Sequence, residues 1–331
     1  MQIHLQPQDD SLLMRETGAW AAEKLDYLAR YIGLFEIAMR RKWSTRYYVD
    51  LLAGPGKNVV RDSGDVLLGS PLLALTAAYP FTGYFFADLS DRNVKALRQR
   101  CAASPHSQRV DIRTGDCNDL VNDIVAHIKC DDWRSLNLAF LDPEGMELQW
   151  KTVAKLATVR RMDLIINYPQ GGLNRYMPRA FETPGQTNVD DFFGDRAWRE
   201  IYRECQNRES LLGIHRRLID FYKESLQQLG YTVIRQVDQI GDEPLIRNVK
   251  RRAPLYRLLF ASKHSLGHDF WHKVTRRDVH GQTRLPLYWS LAFLFVVTAS
   301  AVQKAQKRLK PLLRTPISSA FIVAYPKMWA F

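Results

Sequence analysis

The stretch YVDLLAGPGKNVVRDSGDVLLGSP, Tyr48 to Pro71, constrains the fold more than any other. Tyr48 to Ala53 is an apolar run of β-formers carrying one acid, Asp50, and reads as a buried parallel strand. Gly54-Pro55-Gly56 follows at once, and glycine permits both a sharp turn and the close approach of a ligand to bare amides. Lys57 to Leu68 reads as two short strands around the turn signal Ser63-Gly64, either a lid or a passive hairpin. Ser70-Pro71 then opens an apolar helix, with serine suited to the N-cap and proline to the first helical position. Strand, glycine turn, hairpin and helix together lay out a nucleotide-type cofactor site at the carboxyl end of a parallel strand. The alternative is a plain tight turn.

The flanking sequence repeats the strand–helix alternation. Residues 16 to 42 form an expected amphipathic helix, with Trp20, Leu25, Leu28, Ile32, Phe35 and Met39 at threes and fours, that packs on the sheet or covers the site. A second strand, Gly83 to Ala87, ends in Asp88, where an acid can accept two hydroxyl hydrogen bonds from a ribose. Asp91 competes for that role, and Asp88 has the alternative of capping the next helix. A third strand, Val110 to Thr114, runs into Gly115-Asp116, where Asp116 either meets an adenine amine or caps the helix Leu120 to Ile128. A fourth, Leu136 to Leu141, ends in Asp142-Pro143-Glu144-Gly145, and proline stiffens that turn so that Asp142 is held at the sheet edge. The helix Trp150 to Val159 returns to a fifth strand, Met162 to Tyr168. Leu173 to Asn207 is polar and irregular in pattern and is expected to insert a cap over the site. A helix from Leu211 to Gln228 stops at Gly230. Tyr231 to Val237 and Leu255 to Ser262 read as a closing strand pair. Five β–α units in a row imply a parallel sheet with helices on both faces.

Composition fits a globular chain of 331 residues, 25% charged and 46% apolar. Its four cysteines, Cys101, Cys117, Cys130 and Cys205, show no CxxC spacing, so neither a zinc site nor a disulfide framework is indicated, and a reducing cytoplasm is expected. The N-terminus carries acids without an apolar core and does not read as a signal peptide. The net charge of +12 is unevenly spread. Asp278 is the last acid and seven basic residues follow it, which leaves +5 to the first 278 residues. That is compatible with a nucleic-acid partner without arguing for one.

The order of these pieces is similar to the Rossmann-like S-adenosylmethionine methyltransferase pattern. More closely, the chain resembles the three-Cys-motif partner family, TcmP, through YVDLLAGPG, GSPLLAL, PFTGYFFADL, GDCN, AFLDPEGMELQW, DLIINYP, LLFASKHSLG and GQTRL, over roughly residues 20 to 285. The resemblance implies an α/β fold with a mostly parallel seven-stranded sheet flanked by helices and an insertion after strand five. It divides the chain into an N-terminal helical segment (1–45), a methyltransferase-like domain (46–285, with a cap at 173–210) and a tail (286–331). It implies S-adenosylmethionine as cofactor and a protein with a three-cysteine motif as partner. Carried over, Asp50, Gly54 and Gly56 line the methionine part of the cofactor, Asp88 the ribose and Asp116 the adenine. The Asp142-Pro143-x-Gly145 loop faces the acceptor, with nucleic acid or a nucleotide base as the favoured acceptor. Amine methyltransferases acting on bases often carry Asp-Pro-Pro-aromatic there, and Glu144 departs from that. Tyr168, Tyr176 and Trp150 are the candidate replacement rings. A non-catalytic adaptor of the three-cysteine protein is the alternative. A nicotinamide oxidoreductase fits less well, because the turn lacks the third glycine of GxGxxG.

Leu285 to Val302 is 18 residues without a charge, at the threshold for a membrane span. Basic residues flank it on both sides, so orientation is not set. The expectations are a cytoplasmic protein or one anchored by this segment.

Overall fold

The computed structural model describes residues 3–207, 213–232 and 243–277. The central element is β2 (Thr45–Asp50), paired along its whole length with β7 (Ser135–Leu141) and over Tyr47–Asp50 with β5 (Gly83–Asp88). Outside these lie β6 (Val110–Thr114) and β8 (Met162–Tyr168), all parallel. β10 (Pro254–Ala261) then runs antiparallel to β8, and β9 (Leu245–Arg247) antiparallel to β10. The order is therefore β6-β5-β2-β7-β8-β10-β9, seven strands with one reversed. This is the expected Rossmann-like methyltransferase fold. Of the expected closing pair, the first strand falls largely outside the described residues, although Thr232 does bridge Ser262. Within them, Leu245–Arg247 is the strand that closes the sheet.

Both faces of the sheet are buried, and strand alternation sorts the residues between two cores. Tyr48, Tyr84, Phe86, Leu138, Phe140 and Ile165 point to one core, where α1 (Trp20–Met39) and α10 (Ser265–Thr275) contribute Leu28, Ile32, Phe35, Phe270 and Trp271. Val49, Phe85, Ala87, Ala139, Leu164 and Ile166 point to the other, against α4 (Cys117–Lys129), α5 (Trp150–Ala157) and α9 (Ile214–Gln228). The stretch expected to be an irregular cap is instead three helices, α6 (Gln170–Glu182), α7 (Asn188–Phe193) and α8 (Trp198–Asn207). Their Leu173, Met177, Phe192, Phe193, Trp198 and Tyr202 are buried in the second core, so the segment packs against the sheet's flank. Its many polar residues hid helical spacings such as Trp198, Tyr202 and Cys205 on one buried stripe.

The expected hairpin is present as β3 (Lys57–Val60) and β4 (Val66–Leu68), antiparallel around Gly64. Its other edge takes a strand that sequence pattern did not show, β1 (Arg15–Thr17), parallel to β3. The helix after the hairpin, α2 (Ser70–Leu75), is capped by Gly69, so Ser70 is its first residue and not its N-cap.

A buried ionic cluster fastens the N-terminal segment. The Asp10 carboxylate accepts from Arg100 Nε at 2.9 Å and Nη2 at 2.6 Å, and pairs with Lys57 Nζ at 2.9 Å. All three side chains are fully buried. Burial alone would raise the Asp10 carboxyl, but hydrogen bonds from Arg100, Lys57 and His4 outweigh it and hold the group well below the usual carboxylate range. Its contribution to stability is thus complete above the ordinary range and lost only as pH falls through the lowered folded value. Asp10→Ala leaves two buried cations uncompensated and is expected to destabilise the fold by about 3–5 kcal/mol in urea unfolding. A loss under about 1 kcal/mol would show that the cluster contributes little.

Candidate functional site

The carboxyl ends of β2, β5, β7 and β8 meet at one edge of the sheet, and reversal of β10 brings its first residues to the same edge. A polar pocket of about 450 Å³ opens there. Gly54, Gly56, Gly69 and Ser70 form one wall, Asp142, Pro143 and Asn167 another, and Trp20, Lys24 and Tyr256 a third. A second cavity of about 490 Å³ lies at the opposite end of the sheet, around Trp43, Arg161 and Lys263, away from the glycine turn.

Gly54 and Gly56 have φ of +63° and +92°, a region that favours glycine. A Cβ on Gly54 would come within 3.0 Å of the Arg15 guanidinium, and one on Gly56 within 2.9 Å of Leu97. The turn is held from below. Arg100 Nη1 donates to the Pro55 carbonyl at 2.6 Å, and the Gly54 amide donates to Asp88 Oδ2 at 2.8 Å.

Three acids end three adjacent strands in three different environments. Asp50 is fully buried, with Oδ1 accepting from the Leu52 amide at 3.3 Å and Oδ2 without a hydrogen-bond partner. Burial lifts its carboxyl to about 7, a rise to which the Asp142 charge adds and which the nearby Ser70 hydroxyl and the Leu52 amide oppose. Asp88 is saturated: besides Gly54, it accepts from the Ser90 amide at 2.8 Å and from Asn93 Nδ2 at 2.9 Å. It therefore both holds the glycine turn and fixes the start of α3 (Asp91–Ala102). Asp91, its rival for the ribose, is exposed and paired with Lys95 at 2.6 Å. Asp142 is clamped between Lys24 Nζ and Asn167 Nδ2, the latter at 2.8 Å. Pro143 lines the pocket and its carbonyl also receives Asn167 Nδ2 at 3.4 Å.

Of the expected site residues, Gly54, Gly56, Asp142 and Pro143 line the pocket, and Asp50, Asp88, Asp116 and Gly145 do not. Asp116 is exposed and is the N-cap of α4, with Oδ1 accepting from the Asn118 amide at 2.8 Å. Gly145 turns outward, its amide on Glu147 Oε2 at 2.8 Å. Of the candidate rings, Tyr168 is buried with its hydroxyl on His215, and Trp150 packs edge-on to Tyr222. Tyr176 is 48% exposed, beside the pocket residue Arg175. The rings that do line the pocket are Trp20 and Tyr256, the latter 5.1 Å from Lys24 Nζ with its hydroxyl buried and unpartnered.

Sequence reasoning missed Arg15, Lys24, Asn167 and Tyr256 as site residues. Arg15 reaches Glu144 Oε1 at 3.1 Å and Asp88 Oδ2 at 3.8 Å. It thereby ties β1 to the Asp-Pro loop across the glycine turn. Asn167 offers a second open acceptor, since its Oδ1 is buried without a donor. The one available signal was a polar residue near the carboxyl end of the fifth strand, whose other polar residue, Asp163, lies at its start.

The pocket fits S-adenosylmethionine on its donor set. The glycine turn lines the pocket and the open Asn167 Oδ1 offers an acceptor there, while Asp50 and Asp88 lie outside the lining, Asp88 with its oxygens already accepting from Gly54, Ser90 and Asn93. No protein-family profile matches the chain, and no curated protein matches it. Among solved structures it is similar to the O-methyltransferase from Bacillus cereus in complex with SAH, at 12% identity and a TM-score of 0.40 over 76% of this chain and 85% of that one. It is also similar to cofactor-bound Rv0187 from MTB, at 11% identity and a TM-score of 0.38 over 78% and 85%. The fold assignment rests on the strand order itself. No helix among the described residues is long and apolar enough to cross a membrane, and the 285–302 segment lies outside them.

Asp50 makes stability depend on pH in a defined direction. The folded carboxyl keeps its proton up to about 7, whereas the unfolded one releases it near 3.8. The folded state binds more protons in that window, so stability falls as pH rises through it. Asp50→Asn is expected to gain stability relative to the parent chain across the same window, read as a diverging urea midpoint. Parallel pH profiles would refute the raised value.

Proposed function

We propose that the protein is an S-adenosylmethionine-dependent methyltransferase acting on an amine. The observation that carries this reading is the single pocket that unites the Gly54/Gly56 turn with Asp142 and Pro143 at the carboxyl edge of the sheet. The cofactor supplies an electrophilic methyl group on a sulfonium. The chain supplies orientation. The unpartnered Asp50 Oδ2 would hold the ammonium of the methionine end, and Asp88 would hold the ribose hydroxyls by exchanging one of its present donors. Asp142 accepts a hydrogen bond from the acceptor nitrogen and leaves its lone pair aimed into the pocket, so that catalysis is mostly positioning.

The exocyclic amine of a nucleotide base is the favoured acceptor. Asp142 and the open Asn167 Oδ1 provide adjacent acceptors for such an amine. Tyr256, together with the exposed Arg175–Tyr176 pair, provides planar groups beside it. The motif resemblance extends this reading to a three-cysteine-motif protein as working partner. An adaptor role for that partner is the second reading. It is favoured by the way Lys24 and Arg15 already engage Asp142 and Asp88.

Calorimetric titration of S-adenosylmethionine into the full chain separates these. Micromolar binding is expected, weakened at least tenfold, or about 1.4 kcal/mol, by Asp88→Ala. Asp142→Ala is expected to retain binding and lose methyl transfer. Undiminished transfer by Asp142→Ala would remove that residue from the mechanism, and binding without transfer to any acceptor would favour the adaptor.

A further inference from the structure

Lys24 stands on the first turns of α1, and its side chain is 13% exposed. Its ammonium is held by two different groups, the Asp142 carboxylate and the face of the Tyr256 ring at 5.1 Å. Carboxylate and ring face together form a seat for an alkylammonium. That seat lines the same pocket as Gly54, Gly56 and Ser70. The nitrogen hydrogen-bonded to Asp142 is the position required of an acceptor amine. In this structure the chain's own lysine occupies it.

We infer that Lys24 is itself a methyl acceptor, modified by the protein's own site when no external amine displaces it. The inference rests on the cofactor reading above. In the step, Nζ first gives up a proton to the Asp142 carboxylate, which passes it to solvent. The freed nitrogen lone pair attacks the sulfonium methyl carbon of S-adenosylmethionine and forms a C–N bond. The carbon–sulfur bond breaks with its electron pair going to sulfur, and S-adenosylhomocysteine leaves. No oxidant or reductant is needed. Methylation leaves the charge on Nζ intact and removes one of its hydrogen-bond donors each time, so the modified lysine holds Asp142 less well and the seat opens to another amine.

The seat also makes a prediction about binding alone. An ammonium beside the sulfonium disfavours the cationic cofactor relative to its neutral thioether product. Lys24→Met is therefore expected to shift the ratio of S-adenosylmethionine to S-adenosylhomocysteine affinity several-fold toward the former, measured by calorimetry on the full chain. Incubation of the full chain with S-adenosylmethionine and no added acceptor is expected to raise its intact mass in methyl increments. Peptide fragmentation should place them on Lys24, and they should be absent from Lys24→Arg, which keeps the charge at the seat. Thermal unfolding of both variants confirms that they fold. A cofactor-bound chain that stays unmethylated overturns the inference, as does methylation that persists in Lys24→Arg or an affinity ratio that Lys24→Met leaves unchanged. A chain that neither binds the cofactor nor gains mass overturns the cofactor reading and this inference with it.

Discussion

The site depends on one buried guanidinium. Arg100 is completely inaccessible, yet it belongs to a helix of otherwise polar character. Its donors go to the Asp10 carboxylate and to the carbonyls of Leu12, Leu13 and Pro55. A buried arginine is tolerated only when its donors are satisfied and its charge is met, and both conditions hold here. The consequence is mechanical. The Pro55 carbonyl is fixed, so the flanking Gly54 and Gly56 amides point where the turn presents them. The chain before Arg15 is fixed too, so β1 pairs with β3 and Arg15 reaches over the turn. One side chain thus sets both the floor of the pocket and the strand along its rim.

Local pattern made the scaffold legible. Each parallel strand is an apolar run ending at a turn residue, and that information lies within about ten consecutive positions. The acids at strand ends were legible for the same reason, since Asp50, Asp88 and Asp142 each follow directly on an apolar run. What surrounds those acids was not. Lys24 and Asp142 are 118 residues apart, and Arg100 and Asp10 are 90 apart. Such pairs follow from how helices settle on the sheet, which no local periodicity encodes. β1 was invisible because three residues, Arg-Glu-Thr, carry no strand signal of their own and pair only because the neighbouring cluster positions them. The α6–α8 segment failed for a different reason. Its helices are short and bury narrow stripes, so polar composition outweighed spacing.

Asp116 shows the limit of reading a role from position. An acid after the third strand is equally placed to meet a ligand and to cap the next helix, and side-chain competition for free amides favours the cap. Its Oδ1 does take the Asn118 amide. Asp88, by contrast, performs a capping-type task and faces the glycine turn as well, because burial forces its carboxylate to satisfy every amide within reach. Position selected both residues. Burial and the turn geometry distinguished them.

The departure at Glu144 has a physical rationale in this arrangement. An Asp-Pro loop with an aromatic fourth member carries its own stacking ring. Here the fourth position is Gly145, the third is the carboxylate of Glu144, which pairs with Arg15, and Tyr256 on the reversed strand lines the pocket. Glu144 thus leaves a charged pair at the rim. Charged pairs fill much of the pocket: Asp142 with Lys24, Glu144 with Arg15, and Glu16 with Arg61 at 3.4 Å. A neutral ligand would have to separate these pairs without replacing them, at the cost of stranding partly buried charges. A ligand bearing both an ammonium and a carboxylate can exchange partners with them one for one. The zwitterionic methionine end of the proposed cofactor is such a ligand, and the unpartnered oxygens of Asn167, in the pocket wall, and of Asp50, outside the lining, are acceptors that such an exchange would not first have to free.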